Sequence, residues 1–70
     1  MPAARHEESA VLINDAGDRI RFSWDHETSL PVTIKCFDAN GGIDAKTSLP
    51  RISARGFWDE MLADGFTVKV

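Results

Sequence analysis

Ile52-Ser53-Ala54-Arg55-Gly56-Phe57-Trp58-Asp59-Glu60-Met61-Leu62-Ala63-Asp64-Gly65-Phe66-Thr67-Val68-Lys69-Val70 closes the chain and decides its class. Ala54, Phe57, Trp58, Met61 and Leu62 recur at i, i+3, i+4, i+7 and i+8, the spacing of one apolar stripe on a helix. Arg55, Asp59, Glu60 and Asp64 fall on the other side. Ser53 is expected to cap the first turn with its hydroxyl. Ile52 and Phe57 stand at the spacing of a hydrophobic staple. Gly65 supplies the left-handed residue that ends a helix, with Phe66 folding back towards Met61. Phe66, Val68 and Val70 then alternate with Thr67 and Lys69, which is strand spacing. Glu60 and Asp64 near the C-terminal end oppose the macrodipole, so packing has to hold this helix. Phe57 and Trp58 are therefore expected in the core, an exposed interface anchor being the alternative. Gly56 either weakens the helix or admits a close strand.

Upstream, period-2 alternation takes over. Residues 9–14 read as a first strand, and Asp15-Ala16-Gly17-Asp18 as a turn. Residues 19–25 give the clearest strand, with Ile20, Phe22 and Trp24 on one face and Arg19, Arg21 and Ser23 on the other. A hairpin closed around Ala16-Gly17 would pair Ile13 with Ile20 and Val11 with Phe22, leaving Leu12 as the one large apolar residue on the outer face. Residues 26–31 connect to a third strand over residues 32–38. Asn40-Gly41 is a two-residue hairpin signal, placing Cys36 opposite Ala45 and Asp38 opposite Ile43. Residues 43–47 form a fourth strand. The expected fold is α+β: an antiparallel meander of two hairpins, one C-terminal helix on its apolar face and a short final strand, β-β-β-β-α-β. Residues 1–8 are expected as a flexible tail and residues 9–70 as a single domain.

Length and composition narrow the function classes. Seventy residues support one small core with little stability to spare, and self-association is one remedy. A net charge of −3 provides no global attraction to nucleic acid or an anionic membrane. The single cysteine, Cys36, allows no intrachain disulfide and suits a reducing compartment. No apolar run approaches a membrane span, and the N-terminus lacks the apolar segment of a signal peptide, so a cytoplasmic protein is expected.

Catalytic patterns are missing. There is no glycine-rich phosphate loop, paired-cysteine metal spacing or nucleophile elbow. Asp25-His26-Glu27 is the densest titratable cluster, and it reads as a solvated loop before it reads as a general base or metal ligand. Ser53 is explained as a cap, and Cys36 as a core thiol. No enzyme activity, cofactor or metal is expected.

The ending Ser53, Ala54-Arg55, Trp58, Leu62, Gly65-Phe66 resembles that of small uncharacterised proteins of marine cyanobacteria, which close in a helix of the form Ser-x-x-x-Ala-x-x-x-Trp-x-x-Leu-x-x-x-Gly-aromatic. The similarity covers the C-terminal third and departs in spacing, because Ser53 adjoins Ala54. It implies a small cytosolic accessory protein and assigns no catalytic residue.

The surfaces say more. Arg19, Arg21, Lys35 and Lys46 are expected to share the outer sheet face with Phe37, while Asp59, Glu60 and Asp64 mark the helix. Asp25, Asp38 and Asp44 are expected to dilute the basic patch. A non-enzymatic accessory protein that binds another protein through these residues is the first expectation. Nucleic-acid binding by the basic face is an alternative, as is a phage- or plasmid-encoded inhibitor acting through the acidic helix.

Overall fold

The computed structural model describes residues 7–25 and 31–69. The elements are β1 (Glu7–Ile13), β2 (Arg19–Asp25), β3 (Val32–Phe37), β4 (Ile43–Leu49), α1 (Arg51–Ala63) and β5 (Thr67–Val68). They form one antiparallel sheet in the order β4-β3-β2-β1-β5, with the helix connecting its two edges. The α+β meander read from the sequence is this fold. Each of β1 to β4 reverses its predecessor, and β5 is antiparallel to β1, so β4 and β5 run parallel. A parallel return needs a long crossover, and α1 provides it. β1 begins two residues before the expected strand; the rest of the expected tail, residues 1–6, lies outside the described residues, as does Val70.

Both hairpins turn through the same five-residue device. In the first, the Gly17 N–H donates to the Asn14 carbonyl at 3.1 Å and the Asn14 N–H to the Asp18 carbonyl at 3.2 Å. The Asn14 side-chain oxygen accepts from the Asp18 N–H at 2.9 Å. In the second, the Gly41 N–H donates to the Asp38 carbonyl at 3.0 Å and the Asp38 N–H to the Gly42 carbonyl at 2.9 Å. Asp38 Oδ1 accepts from the N–H groups of Asn40 and Gly42, each at 2.9 Å. Gly17 at φ +90° and Gly41 at φ +87° occupy the left-handed position that closes such three-residue loops. The loops touch: a Cβ added at Gly17 would lie 3.2 Å from the Ala39 Cβ.

An odd loop shifts the register by one residue relative to a two-residue turn. Leu12 faces Ile20, Ala10 faces Phe22 and Ile13 faces Arg19. The expected pairs Ile13–Ile20 and Val11–Phe22 are therefore corrected. Because side chains alternate, the slip exchanges the faces of the whole strand. Leu12 goes fully inside at 0% exposure, and Val11 and Ile13 go out. In the second hairpin a bulge between the Cys36 and Phe37 pairings absorbs the extra residue. Cys36 faces Ala45 as expected, whereas Ile43 pairs with Phe37 and stands 63% exposed on the outer face instead of the core face.

The helix also starts earlier than its expected cap. Leu49 precedes a proline and is held extended, so β4 runs up to it and α1 begins directly after Pro50. Ala54 N–H donates to the Pro50 carbonyl at 2.8 Å. Ser53 lies inside the first turn and caps nothing; no side chain caps this end. Ile52 is 85% exposed and forms no staple with Phe57, which packs against the core. An added Cβ at Gly56 meets nothing within 4 Å, so the glycine admits no close strand. The far end behaves as read: Gly65 adopts φ +110°, and the Phe66 N–H reaches the Met61 carbonyl at 3.0 Å while that of Gly65 reaches Leu62 at 3.3 Å.

Leu12, Ile20, Phe22, Val32, Ile34 and Ala54 form the core, flanked by Trp24, Cys36, Leu49, Phe57, Trp58, Met61 and Phe66. Phe22 anchors the helix, with its ring 5.8 Å from Phe57 and 5.0 Å from Trp58, the latter edge-on. Such ring pairs add about 0.5–1.5 kcal/mol beyond the area they bury. The Arg51 guanidinium donates to the Asp25 carbonyl, tying the start of α1 to the end of β2.

The register makes a prediction that separates neighbours. Leu12→Ala should lower the unfolding free energy by about 3 kcal/mol, the cost of a buried leucine cavity. Ile13→Ala should cost less than about 1 kcal/mol, as for surface positions. Urea denaturation of both variants checks this; equal losses would reverse the assignment of faces.

Candidate interaction surface on the open sheet face

The corrected register orders the face turned away from the helix into rows that cross the strands. One row runs Ser9, Ser23, Thr33, Ser48. The next runs Val11, Arg21, Lys35, Lys46. Lys69 extends it at the β5 edge, where its N–H donates to the Val11 carbonyl at 2.8 Å. The third runs Ile13, Arg19, Phe37, Ile43. All four sequence-predicted cations thus come together with Phe37, and Lys69 joins them.

Alternation explains why they face outward. Arg21 and Arg19 flank Ile20, and Lys35 lies between Ile34 and Cys36, so burying the apolar partners exposes the cations. None of Arg19, Arg21, Lys35, Lys46 and Lys69 has an ion-pair partner among the described residues. Asp25, Asp38 and Asp44, the aspartates expected to dilute the patch, stand at its margins. Asp38 is occupied by the two N–H groups of its own turn. Asp44 stands exposed at the bulge of β4, between the Ile43 and Ala45 pairings, and its charge reaches the Cys36 thiol. Asp25 stands at the far end of β2, beyond the hydroxyl row.

At one corner the face dips into a depression of about 320 Å³, lined by Val11, Arg19, Arg21, Phe37, Gly41 and Lys69. Three cations around an aromatic ring suit an anionic group with an apolar or planar neighbour. The positive-φ turn at Gly41 leaves its rim open, with no atom within 4 Å of an added Cβ.

The face is also less polar than a solvated sheet. Antiparallel sheets that face water on one side usually alternate cleanly between apolar and polar. Here Val11, Ile13, Phe37 and Ile43 are interleaved with the cations. Sequence reasoning assigned Val11 and Ile13 inward and left Lys69 out. The missed signal is the shared Asx-x-x-Gly spacing, Asn14 to Gly17 and Asp38 to Gly41, which marks a three-residue loop in both hairpins.

The acidic residues do not join this surface. Asp59, Glu60 and Asp64 are exposed on α1, which covers the opposite face. Asp59 makes one exposed contact with Arg55 at 3.9 Å, worth little in solvent. Asp64 ends the helix, its N–H donating to the carbonyls of Glu60 and Met61.

Cys36 packs beside the core. Burial, and secondly the Asp44 carboxylate, push its thiol up from 9.0, so it stays protonated at neutral pH and is a weak nucleophile. No cluster of His, Cys, Asp and Glu suited to a metal ion occurs among the described residues. His26 and Glu27 lie outside them. Among the described residues no helix is long and apolar enough to cross a membrane. The chain matches no family model, no curated protein and no solved structure.

Like charges opposite one another destabilise a sheet by about 0.2–1 kcal/mol per pair. Lys35 lies directly opposite both Arg21 and Lys46. Lys35→Glu should therefore raise the unfolding free energy by about 0.5–1 kcal/mol at low salt, with the gain shrinking in concentrated salt. Thermal unfolding at two ionic strengths measures this; a destabilised variant would contradict the face geometry.

Proposed function

We propose that this chain is a small non-enzymatic accessory protein whose open sheet face binds an acidic surface of another protein. The carrying observation is the coexistence, on one face, of five unpaired cations with Val11, Ile13, Phe37 and Ile43. Apolar contacts supply affinity, and the cations select a partner and speed encounter. The repulsion along the cationic row is a stability cost that a solvated face has no need to carry. The resemblance read in the C-terminal third implies an accessory role, and a single cysteine suits a reducing compartment.

Single-stranded nucleic acid is the second reading. It is favoured by Phe37 lying among Arg19, Arg21 and Lys69, since a ring for stacking beside cations for phosphates is the usual equipment of such sites. The net charge of −3 weighs against it. A host-complex inhibitor acting through Asp59, Glu60 and Asp64 is supported only by the exposure of those residues.

The test uses the wild type and Arg19→Glu/Arg21→Glu as parallel baits, with and without nuclease. Proteins held by the wild type and lost from the variant support the proposal. Retention that vanishes with nuclease moves the assignment to nucleic acid. Identical retention by both baits overturns the role of the face. Denaturation should show the variant folded and no less stable than the wild type, because the change at Arg21 removes a like-charge pair with Lys35.

A further inference from the structure

The molecule carries both halves of a complementary contact on opposite sides. The sheet face is cationic and apolar. The outer ridge of α1 is acidic and bears an apolar side chain that nothing covers. At 100° per residue, Ile52, Gly56, Asp59 and Ala63 point away from Ala54, Phe57, Trp58 and Met61, with Glu60 beside them. Ile52 is 85% exposed, more than any other large apolar side chain among the described residues. Gly56 adds no bulk and has no neighbour within 4 Å of a Cβ position, so the ridge beside Ile52 is low. Arg55 is the one cation on this side, drawn towards Asp59 at 3.9 Å.

We infer that the partner of the open sheet face is the α1 ridge of a second copy of this chain, so that molecules stack head to tail, helix on sheet. The inference rests on the proposed function of that face and specifies who occupies it. Three observations meet here. Charge is complementary, with Asp59 and Glu60 facing Arg21, Lys35 and Lys46. Apolar groups are complementary, with Ile52 laid against the Val11, Ile13, Phe37 and Ile43 strip. Dimensions agree: a helix of 13 residues is about 20 Å long, and five strands spaced by about 4.8 Å span about 19 Å from first to last. The result is a second helical layer on the face the chain's own helix leaves open, the arrangement by which layered folds cover both sides of a sheet. The contact is heterologous, because one surface meets a different surface. It therefore propagates, or closes into a ring, instead of stopping at a symmetric dimer. One helix on one sheet is a small interface, so assembly is weak, concentration-dependent and weakened by salt.

Sedimentation velocity on the wild type, from micromolar to millimolar concentration and at low and high salt, gives the first answer. The expected result is a mass that rises above 7.7 kDa with concentration at low salt and falls back at high salt. Two variants then test the polarity of the contact: Arg21→Glu/Lys35→Glu/Lys46→Glu makes both surfaces acidic, and Asp59→Lys/Glu60→Lys makes both basic. Each alone should remain monomeric, and an equimolar mixture should assemble, each acidic surface meeting a basic one. Circular dichroism confirms that both are folded; if the helix variant is not, Asp59→Asn/Glu60→Gln replaces it and should reduce assembly. A wild type that stays at 7.7 kDa throughout overturns the inference, as does assembly that survives reversal of either surface. If the wild type is monomeric while the Arg19/Arg21 variant still loses captured proteins, the sheet face keeps its function and only the second copy is excluded.

Discussion

Leu12 pointing inward is the constraint on which the rest of the structure depends. A strand has two faces and a period of two, so the inward turn of one residue fixes the orientation of every other residue in β1. With Leu12 at 0% exposure, Ala10 is left to face Phe22, and the aromatic side chains of α1 pack on Phe22. The opposite face inherits Val11 and Ile13. A domain this small has few large apolar residues to spend. Placing two of them outside leaves a core of six buried side chains among the described residues and a surface that is neither core nor fully solvated.

The cause lies in the turns. Asn14 and Asp38 each begin a loop by accepting backbone N–H groups with a side-chain oxygen, and Gly17 and Gly41 each end it at positive φ. These local bonds outrank the burial preference of Val11 and Ile13, because a turn that satisfies its own donors fixes the strands that leave it. The bulge near Phe37 shows the alternative resolution. There the extra residue is absorbed within the strand, Cys36 keeps its place beside the core and only Ile43 is displaced. One loop chemistry thus gives a whole-strand exchange in the first hairpin and a one-residue exchange in the second.

Much of this was legible in the residues. Helical and strand periods identified the elements, and the Gly65 stop with Phe66 folding back was readable because one residue type fits that geometry. Arg19, Arg21, Lys35, Lys46 and Phe37 came out on one face because alternation within β2 and β3 does not depend on the loop. What alternation cannot supply is the pairing between strands, so Val11, Ile13 and Ile43 were placed on the wrong side. Ser53 misled for a related reason. A serine before an apolar stripe reads as a cap, yet Pro50 sets the backbone for the helix three residues sooner. Alternation sets Lys69 apart from Phe66 and Val68, but only the pairing of β5 with β1 puts it on the open sheet face. The partner was not legible, because a face records the chemistry it accepts and not the molecule that presents it.

The composition of the open face depends on the β1–β2 register. Cross-strand nuclear Overhauser effects between backbone protons of β1 and β2 test it most directly. The structure predicts contacts linking Leu12 to Ile20 and Ala10 to Phe22, with Val11 opposite Arg21. Contacts linking Ile13 to Ile20 and Val11 to Phe22 would put Val11 and Ile13 back in the core, reduce the outer face to an ordinary charged sheet, and contradict the account.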